Sequence, residues 1–396
     1  MDEIQNPYRP GAGSPPPALL GRDELIKRFG VLIRRAMVGR TDKSLMPIGL
    51  RGVGKTVLLN RFAEIAKDEG WRVAFVEAPE TQEFRILLAS HLRKTLLELD
   101  RSGRTEAIRK ALGILKAFTV HLPDGTSFQV DADPLFGQGD SGILADDVTD
   151  LLVGLGEAAR SRSLGCLLAI DEVQYLSSDE LGALITAIHR TTQLNLPVVL
   201  VGAGLPQLPG LAGDAKSYAE RLFDFPEIGS LAPEDASAAI SIPAHKEGVE
   251  FEGRALRRIV AEAHGYPYFL QEWGFHVWNM TEASPVREED VENAKEAVTQ
   301  QLDKNFFLVR FDRLTPKEKV YLRAMAELGA GPHRSGDIAS CLGVKVESVA
   351  PRRSALIAKG MIYSPAHGDT AFTVPLFDRY LKRAVPQWEP KGKASS

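Results

Sequence analysis

The sequence predicts an α/β fold: a parallel sheet with helices on both faces, then an all-α unit, then a small C-terminal unit of helices and a hairpin. Three observations predict it. Over residues 18–230 four short apolar runs, three of them closing on a glycine loop or an acidic pair, alternate with helix-length periodic segments. From about Leu231 the pattern turns to helices alone. Beyond Arg310 a short helix, a tight turn and a second helix precede two apolar runs joined through a glycine.

Residues 1–17 hold Pro7, Pro10, Gly11, Gly13, Pro15, Pro16 and Pro17, which predicts a flexible extended arm. An amphipathic helix follows Gly21-Arg22-Asp23-Glu24 and runs to about Met37. Residues 44–48 form an apolar run suited to a buried strand. Gly49-Leu50-Arg51-Gly52-Val53-Gly54-Lys55-Thr56 comes next and reads GxxxxGKT, and residues 57–66 then carry apolar side chains at helical spacing. Strand, glycine loop and helix in that order are the context of a phosphate-binding loop. The glycines let backbone N–H groups converge on phosphate oxygens, and the helix N-terminus adds partial positive charge. Lys55 is expected to reach the β- and γ-phosphates, and the Thr56 hydroxyl to ligate Mg²⁺. Gly49, Arg51, Gly52, Val53, Gly54 and Val57 complete the expected nucleotide contacts.

A second strand is predicted over residues 71–76 and a helix over 83–99. Residues 118–130 alternate about Asp124-Gly125, a hairpin signal, so a hairpin insertion is expected near 118–131. A helix over 147–159 leads into the apolar run 164–170, which ends in Asp171-Glu172. Ligands bind at the C-terminal ends of such buried parallel strands. Asp171 there is expected to support the metal, and Glu172 to activate water. Ser177-Ser178-Asp179-Glu180 opens the next helix, to 193, and residues 197–201 give a further buried strand ending in Gly202-Ala203-Gly204. Helices are expected over 233–241, 253–263, 268–279 and 288–306.

The last unit begins near Leu314 with a helix to about Leu328. A short helix from Ser335 ends at Gly343, and a second spans 346–359 before Gly360. Residues 361–363 and 371–374 then form a hairpin through His367-Gly368-Asp369. This is a winged-helix pattern, whose second helix would present Lys345, Ser348, Arg352 and Arg353 to the major groove of duplex DNA, with His367 on the wing. Residues 310–396 carry 15 Lys/Arg against 8 Asp/Glu, while residues 1–309 carry 33 against 44. An acidic body with a basic C-terminal unit suits a nucleotide-driven protein that contacts nucleic acid. Glu347 dilutes that charge, and winged helices also contact proteins, so both partners stay open.

At 396 residues the chain exceeds one typical core, and 44% hydrophobic with 25% charged residues is ordinary for a globular protein. Cys166 and Cys341 stand in unrelated segments, which argues against disulfide and zinc scaffolds. No apolar stretch approaches the ~20 residues of a bilayer span, and the N-terminus lacks a signal-peptide pattern. A cytoplasmic protein is expected.

With these residues in hand, the chain resembles the AAA+/STAND-type P-loop ATPases, and within them archaeal and bacterial replication-initiator-like ATPases with a C-terminal winged helix. The likeness rests on Gly21-Arg22-Asp23-Glu24, the GxxxxGKT loop, the strand ending in Asp171-Glu172, Gly265-Tyr266-Pro267 and the terminal unit. It implies a P-loop NTPase sheet over 18–230, an all-α lid domain over 231–309, a winged-helix domain over 310–386 and a disordered tail over 387–396. It further implies that Leu19, Leu20 and Gly21 wrap the adenine and that Pro267 closes over base or ribose. Gly265-Tyr266-Pro267 also fits a plain inter-helix turn. Arg221 resembles the arginine finger such proteins carry before the lid, which would act across a homo-oligomer on the γ-phosphate. The alternative is an exposed arginine paired with Glu220 or Asp224. Two departures, no Asn or Thr at the Gly202-Ala203-Gly204 strand tip and no second-sensor arginine at the lid, point to a slow switch. The resemblance therefore implies an ATPase with ATP and Mg²⁺ as cofactors, coupling ATP or ADP state to DNA binding. A signalling or scaffolding switch whose winged helix contacts protein is the alternative.

Overall fold

The computed structural model describes residues 1–11, 13–40, 42–79, 84–101, 103, 105–120, 132–366 and 368–388. The core opens with α1 (Asp23–Met37), β1 (Ser44–Leu45), α2 (Lys55–Asp68) and β2 (Arg72–Glu77). Three helices follow, α3 (Phe84–Asp100), α4 (Glu106–Val120) and α5 (Leu144–Arg160), before β3 (Cys166–Asp171). Then come α6 (Ser178–Gln193), β4 (Val198–Gly202), α7 (Leu208–Ala215), α8 (Ala219–Leu222) and β5 (Phe223–Asp224). The strands β2–β3–β4 form one parallel sheet and β1–β5 another, and Ile48 bridges both Gly204 and Glu227 to join them. All pairings are parallel, so β1 enters beside β4 and the phosphate loop leaves at the sheet's C-terminal edge.

Alternation along β3 explains the two layers. Cys166, Leu168 and Ile170 face a core shared with α3, α4, α5 and α6. Leu167 and Ala169 face the opposite core, built on Phe29, Ile33, Leu58 and Phe62 of α1 and α2. A strand buried on both faces must be apolar throughout, as this run is. Ser177 and Glu180 close a capping box at the start of α6, the signal expected there.

The hairpin expected near 118–131 is corrected at its beginning. Residues 118–120 are the last turn of α4, whose Ile108, Leu112 and Leu115 are buried at helical spacing. Residues 121–131 lie outside the described residues.

The helical unit comprises α9 (Pro233–Lys246), α10 (Gly253–Ala263), α11 (Pro267–Met280) and α12 (Glu288–Leu302). A π-helical turn, Asp303–Leu308, continues α12 into α13 (Val309–Phe311). The C-terminal unit then runs α14 (Pro316–Leu328), β6 (His333–Arg334), α15 (Ser335–Leu342), α16 (Val346–Ala358), β7 (Ile362–Tyr363), β8 (Asp369–Phe372) and α17 (Phe377–Ala384). Its antiparallel sheet has the order β6–β8–β7. One continuous apolar core links α9–α12 to α14–α17, stitched by Phe307 stacked on Phe377 and Tyr380.

The segment expected to be a flexible arm is anchored. Tyr8 is only 2% exposed, donates its hydroxyl to the Ile240 carbonyl at 2.7 Å and lies edge-on to Trp278. Asn6 Nδ2 donates to the Phe275 carbonyl, and Trp278 Nε1 donates to the Asp2 carbonyl. At the other end Trp388 stacks near the Arg323 guanidinium, 5.0 Å from ring to cation, while 389–396 lie outside the described residues. His367 also lies outside them.

Candidate functional site

The phosphate loop needs its glycines for two different reasons. Gly52 and Gly54 have φ of 83° and 92°, backbone that side-chain-bearing residues rarely adopt. Gly49 allows close approach, because a Cβ there would lie 2.2 Å from the Ile228 carbonyl oxygen. Gly54 caps α2, so the loop delivers its backbone to a helix N-terminus. Lys55 is buried and its Nζ donates to the Gly49 and Leu50 carbonyls, each at 3.0 Å. Burial lowers the Lys55 pKa, against the pull of Glu172 and Asp171.

Thr56 donates its hydroxyl to Asp171 Oδ2 at 2.5 Å. Asp171 closes β3 and is buried, which raises its pKa; the Thr56 hydrogen bond works against that rise. One hydroxyl and one carboxylate side by side fit Mg²⁺, which takes few protein ligands and fills its shell with phosphate oxygens and water. A closed all-protein cage is a different design, and among the described residues no cluster of three or more His, Cys, Asp or Glu forms one. Glu172 has φ 53°, a left-handed turn that swings its side chain out of the strand. Its Oε1 stands 3.6 Å from Arg51 Nη1, and its Oε2 accepts from Gln174 Nε2.

The glycines at the tip of β4 now have a reason. A Cβ on Gly202 would lie 2.8 Å from the Val173 side chain, and one on Gly204 would lie 2.9 Å from Gln174 Oε1. Gln174 occupies that space, and its Oε1 accepts from Leu205 N at 3.0 Å while its amide holds Glu172. An amide therefore does stand beside the acidic pair, although it comes from the segment after β3 and not from the tip of β4.

A cleft of about 600 Å³ opens over this loop, within the usual range for small-molecule sites. It brings together Arg51, Gly52, Val53, Gly54, Lys55, Thr56, Val57 and Glu172 with Leu19, Leu20 and Pro267. Gly21 turns at its edge with φ 66°, packed on Asp235 and Leu231. Sequence reasoning missed the other walls. Arg9, Gly11, Gly13 and Ser14 cross the cleft, with Gly13 against the Thr56 methyl. Tyr268, Gln271, Glu272 and His276 line it from α11, and Arg310 from α13. Tyr268 packs on Gly52, where its N–H donates to the Gly52 carbonyl at 3.2 Å, and stacks on Phe306. Burial, with Arg51 as neighbour, brings the Arg310 pKa down to about 10. The periodicity of α11 hid these residues, since an aromatic on a helix face reads as core.

The other predicted residues lie elsewhere. Arg221 is exposed on the short helix α8, outside the cleft. Asp224, one of its two considered partners, pairs with Arg28 instead. Lys345 and Ser348 are exposed at the start of α16, and Arg352 is half-buried. Arg353 faces inward: it donates to Thr370 Oγ1 at 2.9 Å, Ser364 Oγ at 2.7 Å and the Asp369 carbonyl at 2.9 Å. Its guanidinium ties α16 to the hairpin, a role that its place in the sequence does not reveal.

Comparison with known proteins bears on the first half of the chain and on its end. Residues 18–201 match the AAA ATPase domain family, and residues 304–381 match Domain of unknown function (DUF8462). No curated protein matches. Among solved structures the chain is similar to the Walker-type ATPase paby2304 of Pyrococcus abyssi, at 16% identity and TM-score 0.58, over 92% of this chain and 96% of that one. It is more distantly similar to the Thermotoga maritima RuvB Holliday junction branch migration motor, at 17% identity and TM-score 0.46, over 91% and 95%. At such identities the likeness concerns the fold alone. Phosphate loop, strand-end carboxylates and the family match agree on one stretch: residues 18–201 carry an AAA ATPase domain with a phosphate-binding loop.

Proposed function

We propose that this ATPase hydrolyses ATP slowly with Mg²⁺ and that its nucleotide state governs what the C-terminal unit engages, with duplex DNA as the favoured partner. The observation that carries the coupling is the phosphate loop's own backbone. Gly52 accepts from Tyr268 of the helical unit, and Arg51 N donates to the Thr373 carbonyl of the C-terminal unit at 3.0 Å. Phosphate bound in that loop therefore acts on groups that both other units hold, which is how a γ-phosphate biases a two-state arrangement. We place the divisions at about residues 230 and 309, between the last core strand, which ends at Asp224, and α9, which opens at Pro233, and again at the start of α13. Lys55 and Thr56 hold phosphate and metal, Asp171 supports the metal, and Glu172 activates water. The exposure of Arg221 on α8 suits action on a neighbouring copy's nucleotide.

The order helix, strand, helix, helix, strand, strand supports a winged helix, with Lys345, Ser348 and Arg352 offered by α16. One observation favours a protein partner as second reading: Val344 and Val346, 41% and 47% exposed, flank Lys345 at the same helix start. Fluorescence anisotropy with duplex DNA, in ATP, ADP and no nucleotide across a salt series, separates the two. Nucleotide-dependent binding that weakens steeply with salt, and is lost in Lys345→Ala/Arg352→Ala, is expected. No binding in any state, with ATP binding intact, would favour the protein partner. Among the described residues no helix is long and apolar enough to cross a membrane.

A further inference from the structure

We propose that Arg51 is a positioning residue for Glu172, and that the docked C-terminal unit uses it to restrain hydrolysis. This rests on the ATPase reading above and goes beyond it by naming the connecting side chain.

Arg51 sits at the meeting point of three segments that are far apart in sequence. Its side chain is 18% exposed. Nη1 faces Glu172 Oε1 at 3.6 Å, Nη2 donates to the Tyr175 hydroxyl at 2.6 Å, and Nε reaches the Gly360 carbonyl at 3.5 Å. The Arg51 backbone N–H is held by Thr373, which in turn donates its hydroxyl to that same Gly360 carbonyl at 2.6 Å. One edge of the C-terminal unit thus grips both the backbone and the side chain of a phosphate-loop residue. Gly360 is shaped for this contact. A Cβ there would stand 2.8 Å from Arg51 Nη2 and 3.2 Å from the Tyr175 hydroxyl, so any side chain would wedge the pair apart.

The consequence falls on Glu172. With Gln174 on Oε2 and Arg51 at Oε1, both carboxylate oxygens face donors of the protein itself. A general base must present an oxygen to the attacking water within hydrogen-bond reach. A carboxylate held by a guanidinium and an amide is less available for that. Undocking the C-terminal unit removes the Gly360 and Thr373 contacts, lets the guanidinium turn, and frees Glu172. Docking and turnover are then opposed states of one linkage.

The test uses the full chain and two substitutions that approach Arg51 from opposite sides without altering the loop: Tyr175→Phe, which deletes the oxygen that fixes Nη2, and Gly360→Ala. Steady-state Mg-ATP turnover is measured for each, with nucleotide affinity in parallel. The expected result is kcat raised roughly threefold to tenfold, the rate equivalent of losing one restraining hydrogen bond, with KM unchanged. A purely structural contact would not separate kcat from KM in this way. Gly360 has φ 62°, so if the alanine variant fails to fold, Tyr175→Phe decides alone. Equal kcat in wild type and variants, with the wild type active, would overturn the restraint and leave the ATPase reading standing. A lowered kcat would equally overturn it, since Arg51 would then be aiding Glu172. Binding of Mg-ATP without turnover in any of the proteins would sink both.

Discussion

Thr56 and Asp171 lie 115 positions apart and share a 2.5 Å hydrogen bond between hydroxyl and carboxylate. The first residue of that pair is the second of α2, and the other ends β3, so the contact exists only because β3 lies inside the sheet beside the loop's exit. Under the proposed function, this pair is where a cation would sit between the chain and a bound triphosphate. Lys55→Ala removes the buried ammonium that the loop surrounds, and is expected to abolish detectable Mg-ATP binding by calorimetry while leaving the far-ultraviolet circular dichroism unchanged.

The anchored N-terminus predicts a stability effect at a glycine remote from the phosphates. A Cβ on Gly274 would stand 2.6 Å from the Tyr8 ring. Gly274→Ala should therefore destabilise the protein by about 1–3 kcal/mol, as overpacking does, measured as a lowered denaturant midpoint. Tyr8→Ala removes the anchor from the other side. Because Arg9, Gly11, Gly13 and Ser14 line the cleft, it should also weaken nucleotide binding, whereas an unchanged Kd would show that these residues make no useful contact.

Arg353→Ala should loosen the hairpin locally. Three hydrogen bonds go, and the Thr370 hydroxyl, on a residue that is fully buried, loses its guanidinium partner. A cost of about 1–3 kcal/mol is expected, with faster amide exchange in β7 and β8 and unaltered exchange in the ATPase core. If Arg353→Ala left exchange in the hairpin unchanged and only weakened DNA binding, the inward role would be wrong.

Acid should destabilise the fold through its histidines. Desolvation holds half-buried His91 and the more exposed His264 below the ordinary histidine value of 6.5, with Lys94 and Arg379 adding to the effect and Glu262 and Asp378 opposing it at His264. The unfolded chain then binds more protons than the folded one between those lowered values and 6.5, so stability rises with pH across that window. It is complete above the window and falls as pH drops through it. The melting temperature should decline as pH falls through the ordinary histidine value of 6.5, and less so in His264→Asn. Asparagine accepts the left-handed backbone at that position, φ 50°. An identical decline in the variant would remove His264 from the account.

The residues that were legible in the sequence are those whose signal is local. The glycine loop, the apolar strand ending in Asp171-Glu172 and the capping box at Ser177 each declare themselves within a few residues, because backbone geometry demands them there. Arg353 and Tyr8 were not legible, since their partners lie on other elements and only the folded chain brings them together. The Asp124-Gly125 turn signal likewise concealed that 118–120 complete a helix already set by Ile108, Leu112 and Leu115. Gln174 is hidden for the opposite reason: the polar side chain expected at the tip of β4 is an Asn or Thr, whereas the two glycines there admit the Gln174 amide from the segment after β3.

The most direct test of the central claim, that Glu172 activates water for hydrolysis of ATP held by Lys55 and Thr56, is Glu172→Gln. Mg-ATP affinity and phosphate release would be measured on the same preparation beside wild type. The account predicts slow turnover in wild type, affinity retained in the variant, and phosphate release reduced by roughly 10²-fold or more, the usual contribution of a general base. Turnover of the variant at the wild-type rate would contradict it.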